Sequence, residues 1–177
     1  MGIRTVRTEG DECLRKVCKP VKSVSLRTRI LIEDMFDTMY ESGGVGLAAP
    51  QIGVLKRIVV MDTDDNQHVL INPQILEVSG EQTGYEGCLS IPGKSGIVTR
   101  PDYVKVKALN ERGEEYILEG EGLLARCICH ECDHLDGILY SDKAEGGLIN
   151  NEDLPDDEEE ELYEDAYEEV TEEEIHK

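Results

Sequence analysis

Tryptophan is absent from this chain of 177 residues, phenylalanine occurs once and aromatic residues make up 5% of it, so aliphatic side chains must supply most of any core. Long apolar runs are missing as well. Nothing approaches the roughly 18 residues that a membrane-spanning helix needs. The opening Met1-Gly2-Ile3-Arg4-Thr5-Val6 has neither the apolar stretch of a secretory leader nor, at Val6, the hydroxyl of a myristoylation signal. Bases are scarce: 18 Lys and Arg stand against 39 Asp and Glu, for a net charge of -21. Nucleic-acid affinity is driven mostly by neutralising phosphates, and this composition argues against a direct nucleic-acid ligand. A contact with the ribosome stays open, because a small basic patch does not show in a net count.

The negative charge is unevenly spread. Residues 151–177 hold fifteen acids and one base, a net of -14, which leaves -7 for the rest. The length suits one domain able to bury roughly 70% of its unfolded surface without staples. The expected organisation is a single catalytic domain over 1–150 followed by an acidic C-terminal tail over 151–177. In that tail Leu162, Ala166 and Val170 fall at helical spacing, as do Tyr163 and Tyr167. A short docked amphipathic helix and a solvated acidic tail both fit this pattern.

Ser25 or Ser23 can cap a helix from about Leu26 to Ser42, with Ile30, Phe36, Met39 and Tyr40 among its apolar positions and Gly43-Gly44 ending it. Val45 to Gln51 is small and apolar and reads as a tightly packed loop. Short segments rich in Val and Ile follow at Arg57–Asp62, His68–Ile71, Gln74–Ser79, Tyr103–Leu109 and Glu115–Leu118, divided by turn signals such as Asp64-Asp65-Asn66. A second helix covers Glu121 to about Leu135, with Leu123, Leu124, Cys127 and Ile128 inward and Gly137 past its end. No long helices alternate with the strands, so the fold class is α+β with antiparallel strands, an N-terminal helix and the acidic tail.

Chemistry enters with His130-Glu131-Cys132-Asp133-His134. Residues four apart on a helix differ by ~40° around its axis and ~6 Å along it, so two imidazoles can share one metal, while Glu131 can reach the water being activated. Alone, the pentapeptide also fits a surface helix with two solvated histidines. Against that, the chain has only four histidines and two of them fall here, on an apolar-faced helix. The extended protease pattern HExxHxxGxxH is matched through Gly137 but meets Tyr140 where a third histidine belongs. Upstream, Glu86-Gly87-Cys88-Leu89-Ser90 offers a thiol beside a glycine, and a metal-bound cysteine ionises. Taken by itself, Cys88 equally suits a buried apolar position. Six cysteines is an even number, but four lie on or beside this pattern, so reduced thiols and a cytoplasmic location are expected.

Three segments together resemble the peptide deformylase family: Gly44-Val45-Gly46-Leu47-Ala48-Ala49-Pro50-Gln51, Glu86-Gly87-Cys88-Leu89-Ser90 and His130-Glu131-Cys132-Asp133-His134, in the family's order and at similar separations. The likeness runs from about Gly10 to Asp142. Cys129 stands where the family usually has Gln, and the long acidic tail is less typical. The resemblance implies antiparallel β-sheets packed around a central helix that carries the metal-ligating histidines. It also implies removal of the formyl group from N-formylmethionyl nascent peptides. Carried over by position, Cys88, His130 and His134 hold one divalent metal, Fe2+ in the cell with Zn2+ as the other candidate. Glu131 is the acid and base, Gln51 and the Leu89 amide polarise the formyl oxygen, and Gly46 with Val45 lines the substrate cleft.

Two other readings remain at this point. One is a metallopeptidase of the HExxH type that cleaves internal peptide bonds and takes a ligand other than Cys88. The second is a redox or metal-storage module built on Cys127, Cys129 and Cys132. The sequence also suggests that Arg126, four residues before His130, pairs with Glu86 and braces the ligands.

Overall fold

In the computed structural model, which describes residues 2–155, the Ser25 hydroxyl accepts from the Thr28 N–H and the Thr28 hydroxyl accepts from the Ser25 N–H, each at 3.3 Å. This reciprocal cap satisfies two end donors and starts α1, Leu26–Glu41. Gly43, at φ 72°, turns the chain away from the helix end. The buried face is Leu31, Ile32, Met35 and Met39, whereas Ile30 and Tyr40 are each 48% exposed, which corrects their assignment to the apolar face. The reason is polar. Asp34 and Thr38 also face inward, where Asp34 accepts from the Gly2 N–H and the Arg4 guanidinium and Thr38 from the Arg4 N–H. Anchoring the incoming chain in this way rotates the helix off the stripe its apolar residues suggest.

The strands are β1 Gly46–Ala48, β2 Ile58–Thr63, β3 Asn66–Ser79, β4 Gln82–Cys88, β5 Ile91–Arg100, β6 Tyr103–Leu109, β7 Glu115–Glu121 and β8 Glu145–Asn150; α2 spans Gly122–Leu135. Five strands form one sheet in the order β1-β2-β3-β6-β7 and three form another, β4-β5-β8; every pairing between strands is antiparallel. Successive strand residues point to opposite faces. Val59 and Met61 of β2 accordingly pack with Ala125, Ile128 and Leu135 of α2, while Ile58 and Val60 pack with Leu31, Met35 and Met39 of α1. A strand buried on both faces reads as a continuous apolar run, as this one does. The two helices therefore clasp the larger sheet between them. No helix among the described residues is long and apolar enough to cross a membrane.

Several boundaries differ from the sequence reading. His68–Ile71 and Gln74–Ser79 are one strand, because β3 passes through Asn72-Pro73 as a register shift rather than breaking there. Asn72 adopts φ 51°; its side chain accepts from the Val21 N–H and donates to the Val21 carbonyl, both at 2.8 Å. Val45 to Gln51 is not a plain loop but contains β1 and a 3-10 turn, Ala49–Ile52. Glu145–Asn150, to which the sequence pattern assigns no element, is the strand β8. Leu123 is 52% exposed rather than inward. The helical pattern at Leu162, Ala166 and Val170 lies outside the described residues.

Candidate metal centre

Three elements deliver the chemistry to one place. β1 and the following 3-10 turn bring Gly46 and Gln51, the end of β4 brings Cys88 and the turn after it Leu89, and α2 brings His130, Glu131 and His134. Together they line a cleft of about 570 Å³. The Cys88 thiol and a ring nitrogen each from His130 and His134 all lie within 4.8 Å of one another, the one such group among the described residues. Cys88 Sγ is 3.3 Å from His134 Nε2. The His130 ring is fixed from behind, since its Nδ1 sits 2.5 Å from Glu86 Oε1 and leaves Nε2 as the ligating atom. Two imidazoles and one thiol, with a carboxylate orienting one ring, form the donor set of a borderline-soft divalent cation, so the residues present fit a metal.

Glu86 is the hub of the support. Its 7% exposed carboxylate accepts from Arg126 Nη1 at 2.6 Å, the pair expected from sequence. It also accepts from Arg100 Nη2 at 2.7 Å and Arg100 Nε at 3.1 Å. Arg100 was missed by sequence reasoning. It lies on β5, twelve residues from Cys88, and only the fold of the β4–β5 ladder brings it in; no local motif marks it. Its other arm meets Asp133 at 2.7 Å, and Lys143 reaches the same carboxylate at 2.9 Å. Burial alone would raise the Glu86 pKa, but hydrogen bonds from His130 and Arg100 hold it well below the usual carboxylate range.

Electrostatics divide the remaining groups. Burial pushes the Glu131 carboxyl up to about 7 against the pull of His130, and its Oε2 has no hydrogen-bond partner among the described residues. A buried carboxylate with one oxygen left over is poised to take a proton near neutral pH. Burial and the neighbouring His130 hold His134 well below its ordinary value, which keeps its lone pair available. For His130 burial also lowers, but Cys88 and Glu86 outweigh it and draw the pKa up to about 10. A cation must therefore compete with a proton there, so binding weakens in acid.

Gln51 is 1% exposed. Its Oε1 accepts from the Ala48 N–H at 2.9 Å, and its Nε2 donates to Ser90 Oγ at 3.1 Å and to Cys88 Sγ at 3.6 Å, so the NH2 end is turned toward the ligand group. Gly46 is required by space: a Cβ there would stand 2.7 Å from Glu131 Oε1 and 2.9 Å from Cys127 Sγ. Leu89 and Val45 also line the cleft. Cys127, Cys129 and Cys132 do not join the ligand group, and burial holds all three thiols above their ordinary pKa, which removes the basis for a redox or storage module. All six cysteines are free.

Comparison with known proteins gives a consistent picture. A family model described as polypeptide deformylase matches residues 3–147. A peptide deformylase of Agathobacter rectalis is 61% identical over 148 residues, covering 84% of this chain and 94% of the relative. Peptide deformylase 1 of Clostridium acetobutylicum is 58% identical over 143 residues, 81% of this chain and 95% of that one. Among solved structures, the peptide deformylase of Thermotoga maritima aligns with a TM-score of 0.80 at 42% identity, covering 82% of this chain and 99% of that chain. That of Synechococcus elongatus, in complex with actinonin, aligns at 0.79 and 42%, covering 81% and 79%.

Proposed function

The chain belongs to the polypeptide deformylase family, whose enzymes remove the N-formyl group from nascent peptides, and we propose that it does so at the centre formed by Cys88, His130 and His134. The observation that carries this assignment is the convergence of three ligand atoms within 4.8 Å in a cleft that Glu131, Gln51 and Gly46 also line. A divalent cation bound there supplies Lewis acidity, which lowers the pKa of water from ~15.7 to ~7. The donor set suits Fe2+ and Zn2+ alike; the assignment is Fe2+ in the cell, with Zn2+ the alternative occupant.

Hydrolysis forms a C–O bond from water to the formyl carbon and breaks the C–N bond, giving formate and a free amine. Glu131 takes the proton released by water at its unpaired oxygen and returns it to the leaving nitrogen, a role typically worth ~10²–10⁴-fold. As charge builds on the formyl oxygen, Gln51 Nε2 can turn one hydrogen from Cys88 toward it and the Leu89 N–H adds a second donor; losing one such donor typically costs ~10²–10³-fold. Gly46 and Val45 present backbone to the N-formylmethionyl peptide, and β1 stands at the edge of its sheet, where an extended peptide can add as a strand. A pocket fitted to hydrogen on the carbonyl carbon rejects larger acyl groups by clash. Residues 1–150 are the catalytic unit in this reading. It works in the cytoplasm, in keeping with six free thiols, with transient ribosome contact as a further element and no direct nucleic-acid or membrane partner.

Incubation with N-formylated, N-acetylated and internal-bond peptides separates this reading from an HExxH metallopeptidase. Formate release from the formylated peptide alone is expected; cleavage of internal bonds overturns it.

A further inference from the structure

The segment ahead of α1 makes bonds that the reaction leaves unused. Asp34 and Thr38 hold its start through Gly2 and Arg4. Its far end is fixed by Leu14, buried with Ile91, Leu139 and Tyr140, in a 3-10 turn, Glu12–Arg15, that the Asp11 side chain caps by accepting from the Cys13 N–H. Between these anchors the chain passes along the cleft, whose wall includes Val6.

Two backbone donors of this stretch bind the two segments that polarise the formyl oxygen. The Arg7 N–H donates to the Gln51 carbonyl at 2.6 Å and the Glu9 N–H to the Ser90 carbonyl at 2.8 Å. Gln51 lies in the turn Ala49–Ile52. The last carbonyls of a short helix lack partners within it, so Arg7 satisfies a buried group that the turn leaves open. Ser90 directly follows Leu89 and is itself buried; its hydroxyl accepts from Gln51 Nε2. Arg7 and Glu9 stand two residues apart, the interval at which an extended chain repeats its orientation, roughly 7 Å. A covalent spacer thus joins the Gln51 and Ser90 backbones, while their side chains join each other directly.

Catalysis gives that spacing a consequence. Donors to a developing oxyanion act best when held in place beforehand, and a misplacement of about 1 Å typically costs ~10²-fold. Neither donor sits on a long element: Gln51 is in a turn of four residues, and Leu89 in the turn between β4 and β5. We infer that Arg7 and Glu9 are positioning residues, whose backbone N–H groups set the interval between Gln51 and the Leu89-Ser90 turn and so aim both donors at the formyl oxygen. The inference rests on the deformylase reading above.

The bonds come from backbone, so the test removes a single N–H. A synthetic thioester of residues 1–12 ligated to a chain beginning at Cys13 regenerates the full-length protein with an ester in place of the Val6–Arg7 amide. A control carries the ester between Arg7 and Thr8, because the Thr8 N–H makes no hydrogen bond among the described residues. The segment stays anchored at Gly2, Arg4 and Leu14 in both, so the fold persists. Each ester is made in the parent and in Gln51→Ala, loaded with Fe2+ anaerobically and assayed on formyl-Met-Ala-Ala-Ala against the all-amide ligated protein. In the parent the Arg7 ester should lower kcat about tenfold with KM and metal content unchanged. In Gln51→Ala the same ester should change kcat by less than about twofold, since the group it acts through is gone. The Thr8 ester should leave kcat as it was. An unchanged kcat for the Arg7 ester, a loss confined to KM, or an equal loss in Gln51→Ala or with the Thr8 ester overturns the inference. Failure of the unmodified expressed protein to release formate would instead sink the deformylase reading itself.

Discussion

Replacing Glu86 by Gln removes one charge from a buried group that two arginines and a ligand imidazole share. Gln has nearly the same shape and keeps one acceptor, so the change isolates charge from packing. Arg100 retains Asp133 at 2.7 Å, but Arg126 loses the one carboxylate within ion-pairing distance among the described residues, and His130 Nδ1 can lose its acceptor. Breaking a buried pair costs about 3–5 kcal/mol; with Arg100 still half satisfied, the lower end, about 3 kcal/mol, applies. At ~2–4 °C per kcal/mol for a chain of this size, the midpoint should drop by roughly 6–12 °C. Loss of an outer partner of a ligating histidine typically weakens metal binding ~10–100-fold. Urea unfolding gives the first quantity and chelator competition the second. The sign of the pH dependence adds a check. Because the folded pKa of Glu86 is lowered from 4.5, its contribution is fully present above that unfolded value and is lost as pH falls below it toward the folded pKa. The parent should therefore lose stability below about pH 4.5, and Glu86→Gln should respond less. A loss under about 1 kcal/mol with unchanged metal affinity would refute the reasoning, because it is far below the cost of an unpaired buried charge.

Glu131→Ala should retain one metal per chain by elemental analysis yet lose nearly all formate release, whereas Cys88→Ala should lose the metal as well; normal turnover by the first variant would contradict its role. Gly46→Ala must displace Glu131 or Cys127, given contacts of 2.7 and 2.9 Å to the new Cβ. A misplacement of about 1 Å typically costs ~10²-fold, so kcat should fall by about that factor with metal content intact. The base must be ionised to act, and burial raises Glu131 to about 7; kcat/KM should therefore drop about tenfold per unit as pH falls below 7. A flat profile from pH 5 to 8 would exclude Glu131 as the base.

What the sequence could convey depended on how local each signal is. The i, i+4 histidines needed only a helix, and the Glu86–Arg126 pair needed only the facing of one strand end and one helix. Cys88 was a candidate thiol from its own segment, but its surroundings could not tell a ligand from a buried apolar cysteine, and only the family resemblance chose between the two. Arg100 left no trace, since its relation to Glu86 exists only once β4 and β5 pair. Those strands were themselves hidden by glycine. At Gly96 a Cβ would come within 2.8 Å of Ala144 and Leu148, so close packing of β8 on β5 demands the residue that weakens a strand signal. β8 is masked in the same way by Gly146 and Gly147, both at positive φ. The rotation of α1 was equally illegible, because it follows from Asp34 and Thr38 binding a distant segment.

X-ray absorption at the metal edge of anaerobically prepared protein tests the central claim most directly. One sulfur and two imidazole nitrogens on a single ion are expected, with the sulfur signal gone in Cys88→Ala. A coordination shell without sulfur in the parent protein would contradict the account.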